Sequence, residues 1–202
     1  MRTFLAAVSM LSALPLGRFC PTETELRRSL NLFPAAGLLF GALFYGIGWC
    51  LAGYCAPLPA AMLLALLPEA LTKGLHLDGL ADTADGFLSG RSRERKLEIM
   101  RDSRAGSMGV AAIFALLGMK FALFASLPPE LLPAAAGLMM LGGRSGIVLY
   151  IGMSRYARPD GMGAIWYREK PFAGILLALL LPSAAGWFFF GVPGCFAGLA
   201  LA

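Results

Sequence analysis

Charged side chains and histidine are scarce in this sequence. Only 14% of the 202 residues are charged, whereas 58% are hydrophobic, and soluble domains carry about 25% charged residues. With a mean hydropathy of +0.71, this composition excludes a disordered chain and argues against an ordinary soluble domain. His76 is the only histidine and none of the four cysteines forms a CxxC pair, which argues against a zinc site. Cys50 and Cys55 are interpreted as small buried hydrophobes.

Long apolar segments dominate what is present. The 25 glycines and 13 prolines suit a membrane bundle, where both residues are commoner than in soluble helices. We predict an all-α fold: a polytopic membrane helical bundle with about five or six membrane helices. It is expected to form a single domain over 1–202, with residues 1–19 as an uncleaved interfacial or re-entrant helix. The apolar segments lie at about 32–55, 60–75, 108–127, 131–153 and 172–190.

The basic residues fall in alternate loops. Most Lys and Arg lie in 18–30, 86–107 and 154–171, while the turns near 56–59 and 128–133 carry none. This alternation follows the positive-inside rule and places the three basic loops in the cytoplasm. The net charge of +5 is therefore interpreted as loop bias. No nucleic-acid partner is expected, because no basic stretch is interleaved with aromatic residues.

Three aspartates form the strongest candidate site. Asp78, Asp82 and Asp85 are spaced i, i+4 and i+7, which puts them within about 60° on one helix face. Like charges at the end of an apolar helix need compensation, and Mg²⁺ prefers carboxylate oxygens and shares its other positions with phosphates. We predict a Mg²⁺ site there, with Gly79 and Gly86 leaving room for a phosphate ligand. The alternative is a solvated acidic helix end.

The opposite face of the same segment offers a base. Glu69 and Lys73 have the favourable i, i+4 spacing for an ion pair. His76 titrates near neutrality, so it is a candidate general base. A hydrogen bond from His76 to the backbone at the membrane surface is an equal alternative.

Further polar groups follow in the basic loops. Asp102 or Ser103 is expected to cap the next helix, or Asp102 to add a fourth carboxylate to the metal. Arginine forks suit phosphate oxygens, and an arginine inside an apolar span is costly unless paired. The candidate substrate-binding residues are Arg101, Arg104, Arg144, Arg155 and Arg158.

Carboxylates, a divalent metal and several arginines together suggest diphosphate chemistry. The metal would neutralise charge on a phosphate leaving group, and a base would activate an attacking hydroxyl. The candidate catalytic residues are His76 and Asp102.

The motifs resemble those of the cobalamin synthase family, the adenosylcobinamide-GDP ribazoletransferases. The resemblance rests on three ungapped stretches, 74–86, 91–95 and 98–106, with weaker matches spread between about residues 4 and 165. It implies a Mg²⁺-dependent enzyme of the bacterial cytoplasmic (inner) membrane. Such an enzyme joins adenosylcobinamide-GDP to α-ribazole, or to its 5′-phosphate, and releases GMP in the last stage of cobalamin biosynthesis. Members usually continue for some tens of residues, so we expect this sequence to be C-terminally short.

Other readings remain open. A CDP-alcohol phosphotransferase-like enzyme would carry Asp-Gly-x-x-Ala-Arg, but Asp82 and not Arg follows Ala81 here. A prenyltransferase-like enzyme would need a second Asp-rich motif. An ion-coupled transporter would favour carboxylates on broken helices at mid-membrane. The sequence also leaves a homo-oligomer open.

Overall fold

The structure, a computed structural model, describes residues 1–17, 19–102, 104–158 and 160–201. Those residues form helices and no strand, which confirms the predicted all-α class. The helices are α1 (Arg2–Leu11), α2 (Glu23–Ser29), α3 (Phe33–Tyr54), α4 (Pro57–Leu71), α5 (Leu75–Phe87), α6 (Arg93–Ile99), α7 (Ser107–Ser126), α8 (Leu132–Met153) and α9 (Phe172–Leu201). Short 3₁₀ turns lie at Leu30–Leu32, Pro129–Leu131 and Met162–Tyr167.

The chain divides into two compact units. Unit 1 comprises Met1–Cys55 and Pro128–Ala202, and unit 2 comprises Ala56–Leu127. Unit 1 therefore holds α1 to α3, α8 and α9, and unit 2 holds α4 to α7. The single domain expected over 1–202 stays a prediction.

Among the residues that the structure describes, four helical segments are long and apolar enough to cross a membrane. They are Glu23–Tyr54, Ser107–Ser126, Pro129–Met153 and Phe172–Gly198. The pair α4 and α5 passes the same test only when taken together, and it is bent by 90°. Counting that pair as one span gives five, the lower of the two predicted numbers. The chain is an integral membrane protein by this pattern.

Residues 191–201 do not form a sixth span. α9 is interrupted at Gly191, whose φ of 65° and ψ of −149° are not helical. Beyond it the chain turns back, so that Gly194 meets Gly186 and Gly198 meets the Pro182 carbonyl so closely that no Cβ would fit. These eleven residues therefore pack against the preceding helix.

Polar contacts in unit 1 join α2 to α1 and to the segment that precedes α9. Thr22 and Glu25 form a capping box at the start of α2, and Arg2 of α1 pairs with Glu25 at 2.5 Å. Trp166 Nε1 donates to the Leu26 carbonyl at 2.9 Å. The ion pair between Arg27 and Glu169, at 2.6 Å, also joins α2 to the segment between the 3₁₀ turn Met162–Tyr167 and α9. With 10 residues, α1 is too short to cross a bilayer, as its interfacial prediction requires.

Close packing of α3 on α8 forms the core of unit 1. A Cβ on Gly41 would lie 2.9 Å from the Gly137 carbonyl oxygen, and a Cβ on Gly37 would lie 2.8 Å from Arg144 Cβ. The GxxxG spacing of Gly37 and Gly41 thus lets the two backbones approach. Phe40 and Phe44 are fully buried beside this contact.

We expect Gly41→Ala to lower thermal stability, because the new methyl group must push the Gly137 backbone away. Overpacking of this kind costs about 1–3 kcal/mol. Gly46→Ala is the matched control on the same helix: nothing lies within 4 Å of its Cβ position, so it should be neutral or slightly stabilising. Thermal unfolding in detergent compares the two. Equal melting temperatures for both variants would contradict the packing argument.

The interpretation of Cys50 and Cys55 as buried residues is wrong. All four cysteines are free, and Cys50 and Cys55 are exposed at the end of α3 rather than buried. Their helix carries apolar side chains on all sides, so its outward face looks to lipid, and a cysteine there needs no protein neighbours.

Candidate functional site

The break between α4 and α5 sets the direction of the aspartate helix. α4 ends at Leu71, and after Thr72 the backbone is left-handed, with φ of 51° at Lys73 and 73° at Gly74. The Gly74 N–H donates to the Glu69 carbonyl at 2.9 Å, a left-handed helix ending of the kind that glycine favours. α5 then starts at Leu75 and runs at 90° to α4. The apolar segment predicted over 60–75 therefore ends as a helix at Leu71, and its last residues form the turn and the first position of α5.

Asp78 and Asp82 lie one turn apart on α5. Asp78 is exposed and Asp82 is half-buried. Open space surrounds Gly79, since nothing lies within 4 Å of its Cβ position, as the predicted ligand site requires. Within the described part of the chain, no three His, Cys, Asp or Glu side chains converge on a common metal position. Mg²⁺ is usually held by one or two carboxylates together with substrate phosphates, so this pair fits the ion, and the site stays a prediction.

Asp85 has a task that the sequence did not predict. Its two carboxylate oxygens accept the backbone N–H groups of Gly106, at 2.6 Å, and Gly109, at 2.8 Å. Gly106 is the N-cap of α7, so a carboxylate from α5 satisfies two donors that a helix start leaves without partners. A Cβ on either glycine would lie 2.5 Å from an Asp85 oxygen. Both positions therefore need glycine.

The capping prediction for the following helix is wrong for Asp102. Its carboxylate instead accepts the Arg104 backbone N–H at 3.1 Å and the Arg104 guanidinium at 3.0 and 2.7 Å. The hydrogen bonds from the Arg104 side chain and backbone lower the pKa of Asp102 to about 2. An acid this strong is ionised at neutral pH and is a weak base. Ser103, the alternative cap, lies outside the described residues.

A polar cavity of about 260 Å³ opens beside the start of α7. Arg95 and Glu98 of α6 face it as an ion pair at 2.6 Å, and Arg104 adds a second guanidinium. Arg95 and Glu98 lie in the motif stretches 91–95 and 98–106, but sequence reasoning gave neither a role in the site, because a run of charges on a short helix is typical of a solvated loop. The lining residues are Asp85, Arg95, Glu98, Ile99, Asp102, Arg104, Gly106 and Ser107.

His76 and Gly86 lie toward opposite ends of α5. His76 is half-buried in the first turn, with its Nε2 atom inaccessible to solvent. It is nine residues from Asp85, about 13 Å along the helix axis, so the cavity and the imidazole occupy different parts of α5.

The prediction that Gly86 leaves room for phosphate is wrong. A Cβ there would lie 2.8 Å from the Met100 side chain, which packs against it.

Glu69 pairs with a residue that the sequence analysis missed. Its carboxylate contacts Lys120 Nζ of α7 at 2.5 Å, whereas Lys73 lies beyond the end of α4 and is exposed. The predicted Glu69–Lys73 pair is wrong because the helix ends before Lys73. Lys120 is the only charged residue of α7, and that isolation in an apolar helix was the signal.

The predicted arginines divide between the units. Arg101 and Arg104 are exposed in unit 2. Arg144, Arg155 and Arg158 belong to unit 1. Arg144 is buried in α8, with its guanidinium 5.8 Å from the centre of the Phe40 ring and its Nη1 3.6 Å from Met140 Sδ. Arg155 is exposed and Arg158 half-buried in the loop after α8. Their substrate-binding roles stay predictions.

Comparison with known proteins covers almost the whole chain. A family model described as cobalamin-5-phosphate synthase matches residues 3–202. Three similar proteins are each named adenosylcobinamide-GDP ribazoletransferase. That of a Roseiflexus species is 39% identical over 86% of this chain and 66% of its own length. That of Klebsiella pneumoniae strain 342 is 36% identical, over 98% and 82%, and that of Desulforamulus reducens is 36% identical, over 93% and 76%. No solved structure gives a significant match.

Proposed function

The chain belongs to the cobalamin-5-phosphate synthase family, and we propose that it acts as an adenosylcobinamide-GDP ribazoletransferase. The acceptor is α-ribazole or its 5′-phosphate, and the second product is GMP. The observation that carries the proposal beyond the family match is the arrangement in unit 2. There the Asp78–Asp82 pair lies on the same short helix as Asp85, which caps α7 beside an arginine-lined cavity. Carboxylates and guanidinium groups on neighbouring elements suit a diphosphate and its metal ion.

The reaction transfers a substituted phosphate. The acceptor hydroxyl attacks the corrinoid-side phosphorus of the diphosphate and forms a new P–O bond. The bond from that phosphorus to the oxygen bridging to the GMP phosphorus breaks, so the electron pair leaves with GMP. The hydroxyl proton passes to a base. The protein must therefore hold a diphosphate, disperse the charge that grows on the leaving phosphate, and accept one proton.

Asp78 and Asp82 would hold Mg²⁺ together with the substrate phosphates. Bound there, the ion would neutralise charge on the leaving group. Arg101 and Arg104 would bind phosphate oxygens through their guanidinium groups. Asp102 is paired with Arg104 at 2.7 Å, and it orients that guanidinium. Its pKa of about 2 suits a fixed negative charge better than proton transfer.

His76 is the proposed base. It lies two residues before Asp78 on α5 and therefore on roughly the opposite face of the helix, and an imidazole titrates near neutral pH. Arg144, Arg155 and Arg158 of unit 1 remain candidate substrate-binding residues by their charge alone.

The test is release of GMP from adenosylcobinamide-GDP by the purified protein in lipid. We expect GMP to appear on chromatography only when Mg²⁺ and α-ribazole, or its 5′-phosphate, are both present. Running the two acceptors side by side gives the preferred one. A transporter would move a substrate across vesicles without forming GMP, and a prenyl- or CDP-alcohol transferase would leave the diphosphate of this substrate intact. Either result would contradict the proposal.

We also propose that the protein lies in the bacterial cytoplasmic membrane with its basic loops in the cytoplasm. In a background without native cysteines, Ser92→Cys and Ala157→Cys should react with a membrane-impermeant maleimide only after the cells are opened. Both positions are exposed. Restoring Cys55 alone places a reporter at the far end of α3, and it should react in intact spheroplasts. Labelling of Ser92→Cys from outside would refute this orientation.

A further inference from the structure

The ion pair between Glu69 and Lys120 lies outside the aspartate motif. It joins the last turn of α4 to α7 across 51 positions of sequence. The Glu69 side chain is 12% exposed and that of Lys120 is 21% exposed, so both charged groups are largely buried inside the protein. An isolated charge in an apolar helix is costly, and removing one partner of such a pair strands the other. Each residue therefore depends on the other to stay where it is.

A second attachment lies on the other side of the bend. Asp85 of α5 holds the start of α7 through the N–H groups of Gly106 and Gly109. Gly109 and Lys120 are eleven residues apart, which corresponds to about 16 Å along α7. The bent pair α4 and α5 is thus attached to one continuous helix at two separated points. Between these points lie the left-handed turn at Lys73 and Gly74 and the site residues His76, Asp78 and Asp82.

Two attachments fix an orientation that one would leave free. The cap at Asp85 holds only the C-terminal half of α5, and nothing lies within 4 Å of the Cβ position of Gly74 at the other end, so no side chain packed against the turn restricts the direction of α5. The ion pair removes that freedom by holding the last turn of α4. The Lys120 ammonium contacts the Glu69 carboxylate. Its contribution to holding α4 therefore accounts for the lysine, and no contact between Lys120 and the substrate is needed.

We infer that Glu69 and Lys120 are positioning residues, which together with the Asp85 cap set the direction in which α5 presents Asp78 and Asp82. The inference rests on the proposed function for its kinetic readout, but not for its geometric one. A shift of about 1 Å at a reacting group can cost roughly 100-fold in rate. Loss of the pair should therefore lower kcat far more than it raises KM for the acceptor.

The experiment is a charge exchange. Glu69→Gln and Lys120→Met should each lower kcat by roughly 10- to 100-fold. The double variant Glu69→Lys with Lys120→Glu should recover most of that loss, because the pair is restored with its polarity reversed. Lys73→Met removes a neighbouring lysine that has no part in the pair, and it should keep wild-type kcat. If a single variant does not fold, Glu69→Asp and Lys120→Arg test the same contact, and each should lower kcat more mildly.

A second readout does not depend on turnover. In a background without native cysteines, the rate at which Asp78→Cys reacts with a water-soluble maleimide reports the exposure of α5. That rate should change in Lys120→Met, return in the charge exchange, and stay constant in Lys73→Met. Failure of the exchanged pair to recover either readout would overturn the inference, as would an equal effect of Lys73→Met. Absence of GMP from the wild-type protein would count against the proposed function instead, and the labelling rates would still decide this inference.

Discussion

Asp78→Asn and Asp82→Asn are each expected to reduce GMP release to below about one-thousandth of the wild-type rate. An amide keeps the shape of the side chain but cannot supply the negative charge that a hard cation requires. Asp78 is exposed and Asp82 is half-buried. Among the contacts of the described residues, none requires the negative charge of Asp78 for α5 to fold. The melting temperature of Asp78→Asn should therefore stay near that of the wild-type protein. The assay measures GMP at saturating Mg²⁺.

Thr83→Ala is the matched control for these two variants. Thr83 is exposed on the same helix, and its hydroxyl donates only to the Gly79 carbonyl, at 2.7 Å, so its removal should leave the rate nearly unchanged. A rise in melting temperature on adding Mg²⁺ alone supplies a readout apart from activity. That rise should be present in the wild-type protein and in Thr83→Ala, and it should be lost in both aspartate variants. Near-normal GMP release by either of them would contradict the metal assignment.

The straight apolar helices could be predicted closely from the sequence. The segment expected over 131–153 forms α8 at Leu132–Met153, and that expected over 32–55 forms α3 at Phe33–Tyr54. Apolar runs bounded by proline or by charges fix such limits. The bend after Leu71 could not be predicted in this way. It depends on left-handed backbone at Lys73, a residue with no preference for that conformation.

The candidate site was predictable in its spacing but not in its partners. Helical periodicity placed Asp78, Asp82 and Asp85 on one face, and α5 confirms that they share a helix. Periodicity gives no information on which neighbouring element meets that face. The donors to Asp85 are backbone N–H groups more than twenty positions away, and backbone groups carry no mark in a sequence. The partner of Glu69 was likewise set by tertiary packing, which overrode the local i, i+4 rule.

Asp85→Asn is expected to lower the melting temperature of the protein, whereas Asp78→Asn is expected to lower GMP release and leave the melting temperature unchanged. One of the two N–H groups at the start of α7 would face an amide NH₂ group and lose its acceptor. The other would lose the charge that favours a helix N-terminus. A hydrogen bond to a charged group contributes about 1.5–3 kcal/mol, which for a chain of this size corresponds to a melting temperature lower by about 3–12 °C. Thermal unfolding without added Mg²⁺ measures this effect separately from any metal site.

Gly109→Ala approaches the same contact from α7. Its Cβ would lie 2.5 Å from an Asp85 oxygen and 3.0 Å from Ala81 Cβ, so the carboxylate must withdraw and the melting temperature should again fall. Gly118→Ala is the control on the same helix, because nothing lies within 4 Å of its Cβ position, and it should be neutral or stabilising. Suppose instead that Asp85→Asn keeps its melting temperature without Mg²⁺ and loses only the rise that Mg²⁺ produces. Asp85 would then act as a metal ligand with Asp78 and Asp82, and the two N–H contacts would contribute little to holding α5 on α7.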